Sequence, residues 1–188
     1  RIEQPNARWR DLLVGRVLAD DEEPDLAVLA LEILTRETVG SGTIEALFRV
    51  VQNTAEDRAP LRELAVRRAG VSGIEGVKEI ILIATDDPSP AVRRTAFRQL
   101  GDLLEAATPR DRERDFNLAR IAQQVSTTLA TDDPAFDNVK IAALNVIPLL
   151  GSVAPQLSED LERLASQEDA GLAGQRARSI LRDLEERE

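Results

Sequence analysis

A column of small residues recurs along this 188-residue chain and constrains its fold more than any other feature. The column holds five alanines spaced 35, 31, 47 and 34 residues apart, namely Ala30, Ala65, Ala96, Ala143 and Ala177. Apolar residues stand four positions before and after them, as Val92 and Leu100 do around Ala96. This spacing indicates amphipathic helices. Recurrence at roughly 20–50 residues predicts a stack of helical hairpins.

Five hairpins account for nearly the whole chain. The predicted copies span residues 6–39, 43–70, 73–107, 108–151 and 155–187 of a single domain over residues 1–188. Their helices are expected at 6–19 and 24–38, 44–53 and 60–69, 74–85 and 90–107, 108–130 and 136–150, and 155–166 and 171–186. Thr43 and Thr108 are predicted to cap helices, and Pro148 to kink one. In the first hairpin we expect the apolar side of the first helix to hold Trp9, Leu12, Leu13, Val17 and Leu18. The inner stripe of the second helix is expected to hold Leu26, Leu29, Ala30, Ile33 and Leu34.

The third copy carries a further pattern, in which Asp87 precedes Arg93, Ala96 and Leu100 at fixed spacing. This pattern resembles the HEAT repeat, most weakly at both ends, where Ala27 and Gly174 replace the basic residue. The resemblance implies an all-α, right-handed α-solenoid of about five antiparallel helix pairs. It also implies pairs that tie each turn to neighbouring helices, here Asp57 with Arg62, Asp87 with Arg93, and Asp133 with Lys140. HEAT arrays are scaffolds in many unrelated processes, so the likeness predicts a fold rather than a partner.

Missing residue types restrict the chemistry of the chain, which contains no Cys, His, Met or Tyr. Nucleophile–base triads that use His or Cys are therefore excluded, as are Cys/His metal sites. Gly40 and Gly42 lack the lysine that a phosphate-binding loop needs. We accordingly predict a protein that is not an enzyme and holds no metal and no cofactor.

The net charge of −10 weighs against binding to nucleic acid or to an anionic membrane, since both require a basic surface. No apolar run is long enough to span a bilayer. The chain starts at Arg1 rather than Met, as expected of a protein that is trimmed, processed or cut from something longer. We predict a cytoplasmic monomer, with a lost signal segment as the alternative that this start leaves open.

Two sets of polar residues are candidate binding sites. A polar column follows the second helices at Glu32, Arg67, Arg98, Asn145 and Ser179, with Arg94 one turn before Arg98. We expect it to face a ligand on the concave side of the array, with a solvated helix face as the equal alternative. Acidic turns form a predicted acidic rim at Asp20, Asp21, Asp86, Asp87, Asp132 and Asp133. Helix capping explains each acidic pair better than cation or basic-partner binding does.

The leading functional prediction is a protein–protein interaction scaffold, or the scaffold domain of a larger protein. One alternative is a tetrapyrrole factor similar to the bilin lyases built from HEAT-like repeats. That function needs a large apolar groove, and aromatic residues make up only 3% of the chain. A HEAT-like DNA glycosylase would need a basic concave face, which the net charge disfavours.

Overall fold

A computed structural model of the chain describes residues 7–19, 23–37, 41–72, 77–167 and 171–186. Within these ranges the secondary structure is helical and contains no strand, as the sequence predicts. The α-helices are α1 (Ala7–Leu18), α2 (Pro24–Glu37), α3 (Ser41–Gln52), α4 (Ala59–Ser72), α5 (Val77–Ala84), α6 (Pro90–Ala106), α7 (Pro109–Asp115), α8 (Leu118–Leu129), α9 (Asp137–Leu144), α10 (Ser158–Ser166) and α11 (Gly171–Glu185). Shorter 3₁₀ helices lie at Glu56–Arg58, Pro134–Phe136, Ile147–Leu149 and Gly151–Leu157.

Two compact units make up the chain, Arg1–Ala96 and Phe97–Glu188. In the first unit, α1 packs against α2, and α3 packs against α4. The first helices of successive hairpins also contact one another, α1 with α3 and α3 with α5, while α2 contacts α4. The helices of this unit therefore lie in two layers. The predicted single repeat domain over residues 1–188 stays a prediction.

In the second unit, α8 packs against α9, and α10 packs against α11. The first helices α8 and α10 contact each other, and so do the second helices α9 and α11. The 3₁₀ helix Gly151–Leu157 packs against both α8 and α10 and thereby links the two hairpins. This unit repeats the two-layer arrangement of the first.

The five alanines of the repeat column are all buried, as predicted. Ala30 is at most 6% exposed, and Ala65, Ala96, Ala143 and Ala177 are fully covered. A small side chain at such a position allows neighbouring helices to approach closely. The alanine register was therefore a reliable guide to the core in both units.

The apolar residues of the first hairpin only partly follow the prediction. The buried face of α2 is formed by Ala27, Ala30, Leu31 and Leu34. The residues predicted on the inner side that are instead exposed are Trp9, Leu12, Leu26, Leu29 and Ile33. The apolar residues of α2 extend beyond the stripe that packs, so Leu26, Leu29 and Ile33 stay exposed beside the buried residues of the same helix.

The predicted long helix over residues 108–130 is wrong, because it is two helices. As predicted, Thr108 caps the first of them, α7, by accepting a hydrogen bond from the Asp111 amide at 3.2 Å. The chain becomes extended at Phe116. The Asn117 side chain then caps α8 by accepting a hydrogen bond from the Arg120 amide at 3.0 Å. Phe116 is buried, so its ring packs into the core at the point where the helix breaks.

The predicted capping of α3 by Thr43 is also wrong, because α3 begins earlier, at Ser41.

The predicted kinked helix over residues 136–150 ends early instead. α9 stops at Leu144, and Pro148 lies in the 3₁₀ helix Ile147–Leu149. Proline has no amide hydrogen to donate to the carbonyl four residues back, which here belongs to Leu144. The helix predicted from residue 155 likewise begins only at Ser158, after the 3₁₀ helix Gly151–Leu157.

Candidate functional site

Members of the predicted polar column lie at the surface in both units. In the first unit Arg67 is exposed on α4, and Glu32 is half-buried on α2. In the second unit Arg98 and Asn145 are exposed, and Ser179 is half-buried. The column is therefore accessible to solvent along the second helices, as a binding surface requires. Whether a partner uses it stays a prediction.

Glu63 on α4 contacts Arg67 of the same helix and Thr95 of α6. Its Oε1 atom accepts a hydrogen bond from Arg67 Nη2 at 2.9 Å and another from Thr95 Oγ1 at 3.1 Å. Arg67 is about 59% exposed at its side chain, whereas Glu63 is only 25% exposed. The carboxylate thus links α4 to α6 and holds one end of the largely exposed Arg67 side chain.

Arg68 and Arg94 carry buried donors that are not used within the described part of the chain. The Nε atoms of both side chains are inaccessible to solvent and meet no acceptor among the described residues. Buried donors are nearly always hydrogen-bonded, so these two are exceptions that call for an acceptor. Sequence reasoning selected Arg94 but missed Arg68. The Arg67–Arg68 dipeptide on a second helix was its only sequence signal.

Asp87 does not belong to an exposed acidic rim. Its carboxylate forms a two-pronged ion pair with Arg62, with Nε–Oδ2 at 2.6 Å and Nη2–Oδ1 at 3.1 Å. Each side chain is about 1% exposed. Asp87 Oδ1 also accepts from the Ser89 amide at 2.8 Å, so the residue holds the turn that leads into α6.

Arg62 joins three segments of the first unit. Besides the Asp87 carboxylate, it donates through Nη1 to the carbonyls of Asn53 at 2.8 Å and Ala55 at 2.6 Å. The predicted pairing of Arg62 with Asp57 is therefore wrong. Spacing within one copy suggested Asp57, but the carboxylate comes from the following hairpin, 25 residues away.

Arg93 contacts Asp87, the residue with which the sequence analysis pairs it. Its Nε donates to the Asp87 carbonyl at 3.0 Å. Burial lowers the pKa of Arg93, and the nearby charges of Asp86 and Asp87 oppose that shift. The interaction supports the turn, which is the structural role that the repeat pattern implied.

The other residues of the predicted acidic rim differ in what the structure shows of them. Asp86, Asp132 and Asp133 are exposed, while Asp20 and Asp21 lie outside the described residues. Asp133 caps the 3₁₀ helix Pro134–Phe136 by accepting from the Ala135 amide at 2.9 Å. The predicted Asp133–Lys140 pair is wrong, because the Lys140 ammonium pairs with Asp137 at 3.5 Å. Capping, the expected explanation, accounts for Asp133.

Asn145 is oriented by a neighbouring second helix. Its Oδ1 accepts a hydrogen bond from Arg176 Nε on α11 at 3.1 Å.

A segment of alternating charge, residues 110–115, lies on α7, where Arg114 pairs with Asp111 and Asp115, each at 2.8 Å. The hydrogen bond and charge of Asp115, with the charge of Asp111, raise the pKa of Arg114. Arg114 is therefore already paired within α7.

A cavity of about 200 Å³ lies in the first unit between α1, α3 and α4. It is lined by Val17, Leu18, Arg49, Val50, Asn53, Arg58 and Leu61. Its two cations are already engaged, since Arg58 donates to the Ala19 carbonyl and Arg49 pairs with Glu45. The cavity therefore offers little unoccupied polar chemistry for a ligand.

Across the ranges that the structure describes, no three His, Cys, Asp or Glu side chains are grouped so that they could hold a metal ion. None of the helices in these ranges is both long enough and apolar enough to cross a membrane.

Comparison with protein-family models, with curated proteins and with solved structures gives no match for this chain.

Proposed function

We propose that this chain is a non-catalytic protein-binding scaffold, built as a right-handed, HEAT-like α-solenoid of five antiparallel helix pairs. On its concave face, acidic groups of a partner protein bind to Arg67, Arg94 and Arg98. Glu32 and Asn145 occupy positions aligned with Arg67 and Arg98, where they select among partners. The observation that carries the proposal is the exposure of the Arg67 and Arg98 side chains at aligned positions of two second helices.

The solenoid is supported by the packing within each unit. First helices contact first helices and second helices contact second helices, and the alanine column is buried in both units. In a solenoid each hairpin stacks on its neighbours. Stacking brings first helices next to first helices and second helices next to second helices. Solenoids use their extended inner surfaces to bind partners.

An acidic partner is supported by the chemistry of the exposed groups. Arginine presents a planar fork that matches a carboxylate and forms charge-assisted hydrogen bonds with it. The chain as a whole is acidic, with a net charge of −10. A local basic surface on such a chain attracts a carboxylate only at short range, because screening extends over about 8–10 Å at physiological salt.

A comparative pull-down tests the proposal. Three baits are used at equal salt: the wild-type chain, Arg67→Ala/Arg98→Ala, and a control, Arg49→Ala/Arg163→Ala. Both pairs remove two exposed arginines. We expect a partner that the wild type and the control retain and the first variant loses.

Retention of every captured protein by the Arg67→Ala/Arg98→Ala bait would contradict the proposed surface. In that case the exposed acidic residues Asp86 and Asp132 would be the next place to test.

A further inference from the structure

A side-chain hydrogen bond joins α9 and α11, the second helices of the last two hairpins. The Arg176 Nε atom donates to the Asn145 Oδ1 atom over 3.1 Å. Asn145 stands at the C-terminal end of α9 and is exposed, and Arg176 on α11 is half-buried. Both residues belong to the second unit, in which α9 packs against α11. The pair therefore bridges two second helices at a position that solvent reaches.

The repeat register places Arg176 where the first unit has Thr95. Each of these residues directly precedes an alanine of the buried column, Ala177 in one case and Ala96 in the other. Thr95 also donates to a side chain of the preceding second helix, the Glu63 carboxylate on α4. This position therefore reaches back to the preceding second helix in each unit. Sequence reasoning did not select Arg176, because it followed a different column of positions.

The contact with Arg176 determines which way the Asn145 carboxamide is turned. A carboxamide both donates and accepts hydrogen bonds, whereas a guanidinium only donates them. The oxygen of Asn145 must therefore face Arg176, and the NH2 group is left as the hydrogen-bonding group of this side chain. Within the described part of the chain, this NH2 group meets no acceptor. Asn145 and Arg176 together offer donors and no acceptor.

The nearest turns of α9 and α11 carry no competing carboxylate. Residues 171–178 of α11 include two arginines and no acidic residue, and Asp183 follows about two turns after Arg176. The one acidic residue of α9 is Asp137, about two turns before Asn145, where it pairs with a lysine. The acidic residues of α10 belong to the layer of first helices. The charge that these two second helices place beside the pair is therefore positive.

We propose that Asn145 and Arg176 form a carboxylate-binding position that takes an Asp or Glu side chain of the acidic partner. The inference rests on the proposed function and adds Arg176 to it, together with the chemistry by which Asn145 selects. The carboxylate accepts from the Asn145 NH2 group and from the guanidinium, which has further N–H donors besides Nε. Such charge-assisted hydrogen bonds are stronger than those to a neutral carbonyl. A partner group that only donates, such as a lysine, finds no acceptor here.

Titration of the wild-type chain with an octaglutamate peptide tests the position directly. Nitrogen–proton NMR observes the NH2 signals of asparagine and glutamine and the Nε–H signals of arginine. We expect the signals of Asn145 and Arg176 to shift and to saturate, while those of Gln123, exposed on α8, stay in place. An octaglutamine peptide has the same backbone without the charge, and it should shift none of them.

Asn145→Asp separates binding from structure. It keeps an oxygen for Arg176 and replaces the NH2 donor by an anion, so the affinity for octaglutamate should fall roughly tenfold or more. Circular dichroism checks that the fold is retained. Asn145→Ala removes the donor without adding a charge and should weaken binding less. Gln123→Glu is the matched control, because it makes the same change from amide to carboxylate on the exposed side of α8 and should bind like the wild type.

Unchanged affinity of Asn145→Asp would overturn the proposal, because it would show that the hydrogen bond only ties α9 to α11. Equal shifts with octaglutamine would overturn it as well. The Nε–H signals of Arg67 and Arg98, read in the same titration, separate this inference from the proposed function. Shifts there without a shift at Asn145 would overturn the inference alone. No shift at any of these residues would contradict the proposed function too.

Discussion

Arg62 has four oxygen acceptors around one buried guanidinium, two from the Asp87 carboxylate and two from the carbonyls of Asn53 and Ala55. The residue therefore fastens the end of α3 to the turn before α6. The sequence pattern indicated that a turn aspartate and a second-helix arginine pair, but not which copies they come from. Spacing along the chain cannot reveal a partner 25 residues away, because that distance depends on how the hairpins stack.

Replacing Arg62 with Met should destabilise the fold by about 3–5 kcal/mol, because it leaves the Asp87 carboxylate buried without its cation. Urea unfolding followed by circular dichroism measures the loss. Arg49→Met is the control, since the Arg49–Glu45 pair is exposed and such pairs contribute roughly 0–1 kcal/mol. Equal stability of the two variants would contradict the structural role of Arg62.

Replacing Ala96 with Leu should also destabilise the protein, by roughly 1–3 kcal/mol, because the column position has no room for three more carbon atoms. Ala119→Leu on the exposed side of α8 serves as the control and should change stability little. Thermal or urea unfolding of both variants compares their free energies of unfolding. An Ala96→Leu protein as stable as the control would show that the column is not tightly packed.

At the scale of elements, the sequence located the hairpins but not every helix end. Its periodicity identified α2, α4, α6 and α11 to within a few residues, because an apolar stripe continues as long as the helix does. The break at Phe116 was missed, since a buried aromatic residue fits a continuous apolar stripe equally well. An asparagine directly before an apolar run, here Asn117, was the available signal.

Asn117→Ala should cost about 1 kcal/mol, because it removes the side-chain acceptor of the Arg120 amide at the start of α8. Asn117→Asp keeps an acceptor and should retain most of the stability. Parallel urea titrations compare the two substitutions. Equal losses from both would indicate that the cap contributes nothing.

At the scale of the whole molecule, burial of the core was predictable and the use of the surface was not. Apolar periodicity indicates which faces turn inward, as it did for Ala65 and Ala143 but not for Leu26 and Leu29 of the first hairpin. Surface positions such as Arg67 and Asn145 are free of that constraint. In the proposed function their role is to contact a partner protein, which no periodicity in the sequence can reveal.

Removal of divalent cations should leave the melting temperature unchanged. The chain has no Cys or His, and its described carboxylates do not gather in groups of three. Differential scanning calorimetry with and without a chelator tests this expectation. A drop of several degrees with the chelator would show that the acidic turns hold a cation.

The central claim is that arginines on the second helices bind an acidic partner, and the dissociation constant of the captured partner tests it most directly. Calorimetric titration at one salt concentration should give at least a tenfold weaker constant for Arg67→Ala/Arg98→Ala, since arginines at an interface often contribute more than about 1 kcal/mol each. The melting temperature should stay within a few degrees of the wild type. Equal affinity of this variant, the wild type and Arg49→Ala/Arg163→Ala would contradict the claim.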